Sequence, residues 1–143
     1  MVVAVDTNIL VHAANMASPR HVLCARVLEQ VGDDESVIAL TWPVIYEFLR
    51  VATHPSVFAK PMSFTTAWAK VTAMLASPAA TLLAETRSHA TLVRQCAAEV
   101  PRLAGNLVHD FHLAVLMREH GVRDVLTLDK DFRAFPWITV REP

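Results

Sequence analysis

No excess of positive charge runs through this sequence: 13 Lys and Arg stand against 14 Asp and Glu, a formal net charge of −1 with the histidines neutral. Proteins that wrap nucleic acid without selectivity neutralise phosphates with clustered Lys and Arg, so the balance argues against that class. It leaves open chemistry in which a metal held in an acidic pocket supplies the local positive charge. Cysteine is scarce too. Cys24 and Cys96 each fall in a helical-looking apolar stretch and read as small buried thiols, not a disulfide pair, which fits a reducing compartment. No apolar run approaches the ~18 residues of a membrane span. The opening run, Val2 to Val5, meets Asp6 after four residues, and no basic leader precedes it. A cytoplasmic location without membrane association is therefore expected. Internal repeats and low-complexity segments are also lacking.

What is present suits one substantial core. Of the 143 residues, 53% are hydrophobic and 19% charged, which excludes disorder and favours a single domain over 1–143. Short β-branched runs predict strands at Val2–Val5, Val37–Leu40, Thr81–Ala84, Val125–Leu128 and Ile138–Val140, the last at a sheet edge. Between them, capping residues and 3.6-residue periodicity predict helices. Thr7 or Asn8 caps the first, Ser18 and Pro19 open a second that ends at Gly32, and Thr41 caps one from Trp42 to Ala52. Ser63 caps another to about Leu75, Thr86 or Ser88 begins one stopped by Pro101, and Asn106 caps the last, which Gly121 ends. Alternating short strands and longer helices predict an α/β fold: three α/β/α layers around a mostly parallel central sheet.

Four carboxylates fall where a solvated charge is not expected. Asp6 follows the first strand directly, and the carboxyl ends of parallel strands are where ligands bind; a helix cap is the alternative. Asp129 follows the fourth strand in the same way, with Asp131 two residues on as a second contributor or a turn residue. Glu47 shares an apolar helix face with Val44 and Val51, where a buried carboxylate is costly unless paired; its alternative is a boundary position reaching water. Asp110 lies three residues after Leu107 and four before Ala114, near a helix amino end that favours negative charge. Should these acids converge, their repulsion raises their pKa values or demands a cation, and an all-oxygen set suits Mg²⁺ or Mn²⁺. His12, His109 and His112 lack HExxH-type spacing and are expected to be structural, interfacial or supporting. Asp33, Asp34 and Glu35 read as a solvated turn.

The segments VDTNILVHA, EFLRVATHPSVF, HDFHLAVLMREHGVRDVLTLDKDF and FPWITV, in that order, resemble PIN-domain proteins of the VapC toxin type over nearly the whole chain. The resemblance implies a metal-dependent endoribonuclease, using Mg²⁺ or Mn²⁺, that is toxic when free and silenced by a cognate antitoxin. It also implies a homodimer. By position, Asp6, Glu47, Asp110 and Asp129 match the family's acidic set, with Asp6, Asp110 and Asp129 as metal ligands. Thr7, Asn8 and Thr127 match its polar companions, and Asp131 a commonly acidic position of variable role.

RNA contacts are less legible. Between Arg50 and Ala84 the only charged residues after Arg50 are Lys60 and Lys70, so the region carries +3; a guiding field for phosphate and a solvated rim both fit. Arg118 and Arg133 are further candidates. Trp42, Trp68 and Trp137 suit helix packing or subunit contact at least as well as base stacking. Two competing functions remain. A phosphohydrolase forming an aspartyl-phosphate at Asp6 would want an acid two residues later, where Asn8 stands. A non-catalytic RNA- or protein-binding module would leave the acids without purpose.

Overall fold

The structure, a computed structural model, describes residues 1–33 and 35–143. Five strands form one sheet among these residues: β1 (Val2–Val5), β2 (Val37–Thr41), β3 (Ala80–Leu83), β4 (Asp124–Leu126) and β5 (Thr139–Arg141), in the order β3-β2-β1-β4-β5. Every pairing is parallel, so the sheet is wholly and not just mostly so. The helices are α1 (Thr7–Ala14), α2 (His21–Asp33), α3 (Trp42–Ala52), α4 (Phe64–Leu75), α5 (His89–Ala98) and α6 (Leu107–Glu119), with a 3-10 turn at Lys130–Ala134.

Chain order runs from β1 outward to β3, then returns to β4 on the other side of β1. Right-handed crossovers therefore put α1–α4 on one face and α5 and α6 on the other, and the main helix contacts fall into those two groups. The sheet reverses direction between β1 and β4, and the carboxyl ends of those two strands open a crevice between the layers. Strand β1 is buried at Val3, Ala4 and Val5, as a strand covered on both faces must be. Helix α6 is buried from Leu113 to Met117 and at Phe111, so it is a core helix with few polar positions left to spend. Both cysteines are free and buried. No helix among the described residues is long and apolar enough to cross a membrane.

Several boundaries differ from the sequence expectation. Asp6, not Thr7 or Asn8, caps α1, because its carboxylate reaches the Thr7 N–H at 2.7 Å while its own backbone remains extended. Helix α2 begins at His21 and runs through Gly32 to Asp33, since one glycine lowers helix stability without forbidding it. Of the Asp33–Glu35 turn, Asp34 lies outside the described residues. Strand β4 ends at Leu126, not Leu128, which frees Thr127 and Leu128 to turn toward the crevice. The capping of α3 by Thr41 and of α4 by Ser63 is as expected. Trp137 packs: its indole donates to the Ala114 carbonyl at 2.8 Å and lies under Arg118.

Gly121 ends α6 for a local reason. Its φ of 70° lets its own N–H reach the Arg118 carbonyl at 3.2 Å and the Val122 N–H reach the Met117 carbonyl at 2.8 Å, a Schellman closure. A Cβ at Gly121 would meet nothing within 4 Å, so only the backbone resists substitution. Gly121→Ala is expected to cost about 1 kcal/mol, lowering Tm by roughly 2–4 °C in a thermal melt.

Candidate active site

The crevice at the end of β1 and β4 is held together by one buried side chain. Thr127 is fully buried (0% exposed), and its hydroxyl donates to Asp6 Oδ2 at 2.7 Å while accepting from the Asp129 N–H at 2.9 Å. Asn8 bridges the same two strand ends. Its amide nitrogen donates to Asp6 Oδ2 at 2.7 Å and to Thr127 Oγ1 at 3.2 Å, and its carbonyl oxygen accepts from the Leu128 N–H at 3.2 Å. Below them the Asp6 N–H continues the sheet ladder to the Leu126 carbonyl at 3.1 Å. Asp6 thus caps α1 through Oδ1 and is tied to the end of β4 through Oδ2.

Asp129 caps the 3-10 turn by accepting from the Asp131 N–H at 2.8 Å, which sets Asp131 beside it. From across the crevice, Asp110 enters from the first turn of α6. One carboxylate oxygen from each of Asp110, Asp129 and Asp131 lies within 4.8 Å of the others. Burial pushes the Asp6 carboxyl above its ordinary range, against the hydrogen bonds from Thr127, Thr7 and Asn8 and with added repulsion from Asp129. For Asp110 burial comes first and the charges of Asp6, Asp129 and Asp131 add to it, raising its pKa to about 7. These oxygens, crowded beyond what the protein itself compensates, are the donor set a hard divalent cation takes.

The groove around them encloses about 560 Å³, with α3 as its opposite wall. Glu47 lies on that wall, but its side chain is 47% exposed and accepts from Arg50 at 2.7 Å. The boundary alternative is therefore the correct one: on α3 the buried face belongs to Val44, Ile45, Phe48 and Leu49, and Glu47 sits at its margin. His12 and His109 also line the groove. His12 is engaged with Ser18 at 2.6 Å. His112, two residues beyond Asp110, lies outside the groove and meets Glu85 at 2.8 Å. Of the suggested RNA-contacting cations, Arg118 is tied to Glu99 and Arg133 to Glu142, each at 2.8 Å, while Arg50 lines the groove itself. A cluster of Glu85, His89 and His112 had no signal in linear spacing, because its members come from three separate elements.

Two outcomes follow from this geometry in the metal-free protein. Asp110 has a raised folded pKa, so its contribution to stability is complete below 3.8 and is lost as pH rises through about 7. Asp110→Asn should remove that loss and stabilise the protein at pH 8 by on the order of 1–2 kcal/mol, since the open groove screens part of the repulsion. Urea unfolding at pH 5 and pH 8 measures it; an unchanged pH dependence in the variant would contradict the coupling. Thr127→Val keeps the shape but leaves Asp6 and the Asp129 N–H short of a partner, and is expected to cost about 1–3 kcal/mol in the same assay.

The chain is similar to known proteins over nearly its whole length. The PIN domain family model matches residues 3–138. Ribonuclease VapC48 of Mycobacterium tuberculosis is 35% identical over 139 residues, spanning 96% of this chain and 94% of the relative. Ribonuclease VapC43 of the same organism is 34% identical, spanning 97% and 93%. Among solved structures, Mycobacterium tuberculosis VapC20, described as a Sarcin-Ricin loop cleaving toxin, superposes with a TM-score of 0.70 at 17% identity, covering 99% of each chain. VapBC2 from Rickettsia felis, bound to a DNA fragment from its promoter, gives a TM-score of 0.70 at 16% identity, covering 99% of this chain and 98% of that one. From the first strand almost to the last, then, the chain belongs to the PIN domain family, among the VapC proteins.

Proposed function

We propose that this protein is a divalent-metal-dependent endoribonuclease and the toxin half of a toxin–antitoxin pair. The observation that carries the reading is the crowding at Asp110, whose carboxyl oxygen lies within 4.8 Å of those of Asp129 and Asp131 and whose pKa is raised to about 7 by burial and then by the charges of Asp6, Asp129 and Asp131. A fold spends stability on such a knot where a cation offsets it. The relatives named as ribonucleases, which match over nearly the full chain, give the reaction class.

Asp6, Asp110 and Asp129 are the ligands of Mg²⁺ or Mn²⁺ in this proposal; Asp131, clustered with Asp110 and Asp129, is a fourth oxygen donor, and Asp6 adjoins that cluster in the groove. When bound, such an ion lowers the pKa of a water and neutralises charge gathering on the transferring phosphoryl group. The chain's own residues do the rest. Thr127 and Asn8 fix Asp6 Oδ2 by two short hydrogen bonds and brace each other by a third, so the carboxylate does not turn away between turnovers. The Thr7 N–H holds the other Asp6 oxygen. Glu47, at the groove wall, orients a water or a second ion, and Arg50 beside it receives the RNA phosphate. The groove's open side admits unpaired RNA, whose exposed bases are the readable ones.

A cognate antitoxin is the proposed partner, inhibiting by covering the groove and setting a basic side chain among the carboxylates. Homodimerisation is proposed with it; exposed Trp42, Tyr46, Phe64 and Val108 are apolar surface available for such contacts.

The test is cleavage of total RNA with Mg²⁺, Mn²⁺ or chelator, beside Asp6→Asn and Asp110→Asn. Cleavage with either metal, its loss on chelation and a fall of at least about 10²-fold in each variant are expected. Asn8→Ala should lose about 10–100-fold by loosening Asp6. RNA cleavage that survives in chelator or in the Asp6→Asn protein would refute the metal assignment. RNA binding without any cleavage would point to the non-catalytic module instead.

A further inference from the structure

Outside the groove, two histidines and a glutamate meet where β3, α5 and α6 adjoin. Glu85 follows β3, His89 is the first residue of α5, and His112 lies in the second turn of α6. One ligand atom from each lies within 4.8 Å of the other two. His112 Nε2 faces Glu85 Oε1 at 2.8 Å, and the two imidazoles approach edge to face with centroids 5.6 Å apart.

The support behind His89 separates this cluster from a chance surface ion pair. Glu119, whose side chain is only 1% exposed, meets His89 Nδ1 through Oε2 at 2.8 Å. Its other oxygen accepts from the Thr86 N–H at 2.7 Å and from the Thr86 hydroxyl. A carboxylate already accepting from Thr86 fixes the proton on His89 Nδ1, and that leaves the Nε2 lone pair free. Metal-binding histidines are oriented by a carboxylate in this way. His89 itself is 24% exposed, so the cluster is reachable from solvent yet anchored on one side.

We propose that Glu85, His89 and His112 form a second metal site, distinct from the groove, that takes a nitrogen-preferring divalent ion of the Zn²⁺ class. The donor chemistry separates the two sites, because imidazole suits Zn²⁺ whereas an all-carboxylate set suits Mg²⁺ or Mn²⁺. Bond lengths of roughly 2.0–2.1 Å put two ligands of a tetrahedral zinc about 3.3 Å apart. The His112–Glu85 pair therefore opens slightly to admit the ion in place of the shared proton. Glu85 is exposed and free to make that adjustment, and solvent completes the coordination. The bound ion ties the segment after β3 and the start of α5 to α6.

The experiment uses the full chain carrying both Asp6→Asn and Asp110→Asn, so that the groove does not compete for the probe. Calorimetric titration with Zn²⁺ should give one saturable equivalent, and Co²⁺ should give visible bands of a low-coordinate nitrogen–oxygen site. His89→Gln and His112→Gln on this background should each weaken Zn²⁺ at least about tenfold, and Glu119→Gln about 10–100-fold. Zn²⁺ at a hundredfold excess over its Kd should raise the melting temperature by several degrees in the background protein and not in His89→Gln. Circular dichroism checks folding. Should a histidine variant fail to fold, Glu85→Gln, at an exposed position, carries the same expectation. No saturable Zn²⁺ binding by the background protein, or equal affinity in the folded His89, His112 or Glu85 variants, would overturn the proposal.

Discussion

A single buried hydroxyl, on Thr127, joins the ends of two strands that lie 121 residues apart in sequence. It donates to Asp6 and accepts from the Asp129 N–H, so these two acids share one anchor. The anchor exists only because β1 and β4 are neighbours in parallel register, with Val5 opposite Leu126. Two parallel strands cannot be joined by a tight turn; the intervening chain must travel out through β2 and β3 and back. The remote segments that carry Glu47 and Asp110 are therefore brought to the crevice by the same topology that pairs the strands.

Strand ends were the most legible part of the site. Asp6 and Asp129 follow β-branched runs, at the strand ends where a parallel sheet opens its crevice, and both also cap the helical turns that follow them. Asp110 was legible from its i+3 and i+4 apolar neighbours, although α6 is buried far beyond the narrow stripe that spacing suggested. The same logic left Glu47 on the apolar face or at its boundary, and it lies at the boundary. On α3, Val44 and Val51 flank it in sequence, yet the real buried face turns through Ile45, Phe48 and Leu49, and the margin position pairs with Arg50. Periodicity locates a face to within one residue's rotation, and a carboxylate on a long stem can use that margin to reach water. Asp131 read as a second contributor or a turn residue, at a position whose role varies among the proteins the sequence resembles; the 3-10 turn brings it beside Asp110. Asp6 itself was read as capping or site; the structure shows the cap through Oδ1, while Oδ2 is held by Thr127 and Asn8 at the crevice.

Repulsion in the groove is a cost that the remainder of the domain must carry. The knot is surrounded by well-packed elements: Phe132 and Phe135, both almost wholly buried, pin the turn that bears Asp129 and Asp131, and their rings meet edge to face. A helix as apolar as α6 has the burial to hold Asp110 against its neighbours' charge. Rigid support and electrostatic strain are thus supplied by the same helix, which keeps the oxygens close without a fixed counter-charge from the protein.

Helix α6 also explains how two chemically different clusters coexist within a few residues. At roughly 100° per residue, Asp110 and His112 point about 200° apart, so one side chain enters the groove while the other turns toward α5. Glu119 lies seven residues beyond His112, two turns along the same face, and reaches His89 at the start of α5. Asp110 therefore faces the groove at the ends of β1 and β4, and His112 faces the cluster beside α5. A cation on the imidazole side would restrain α6 from behind, along the helix that positions Asp110, without placing any charge among the groove acids. Helix geometry sets Asp110 and His112 on opposite sides, and donor chemistry separates the two clusters further.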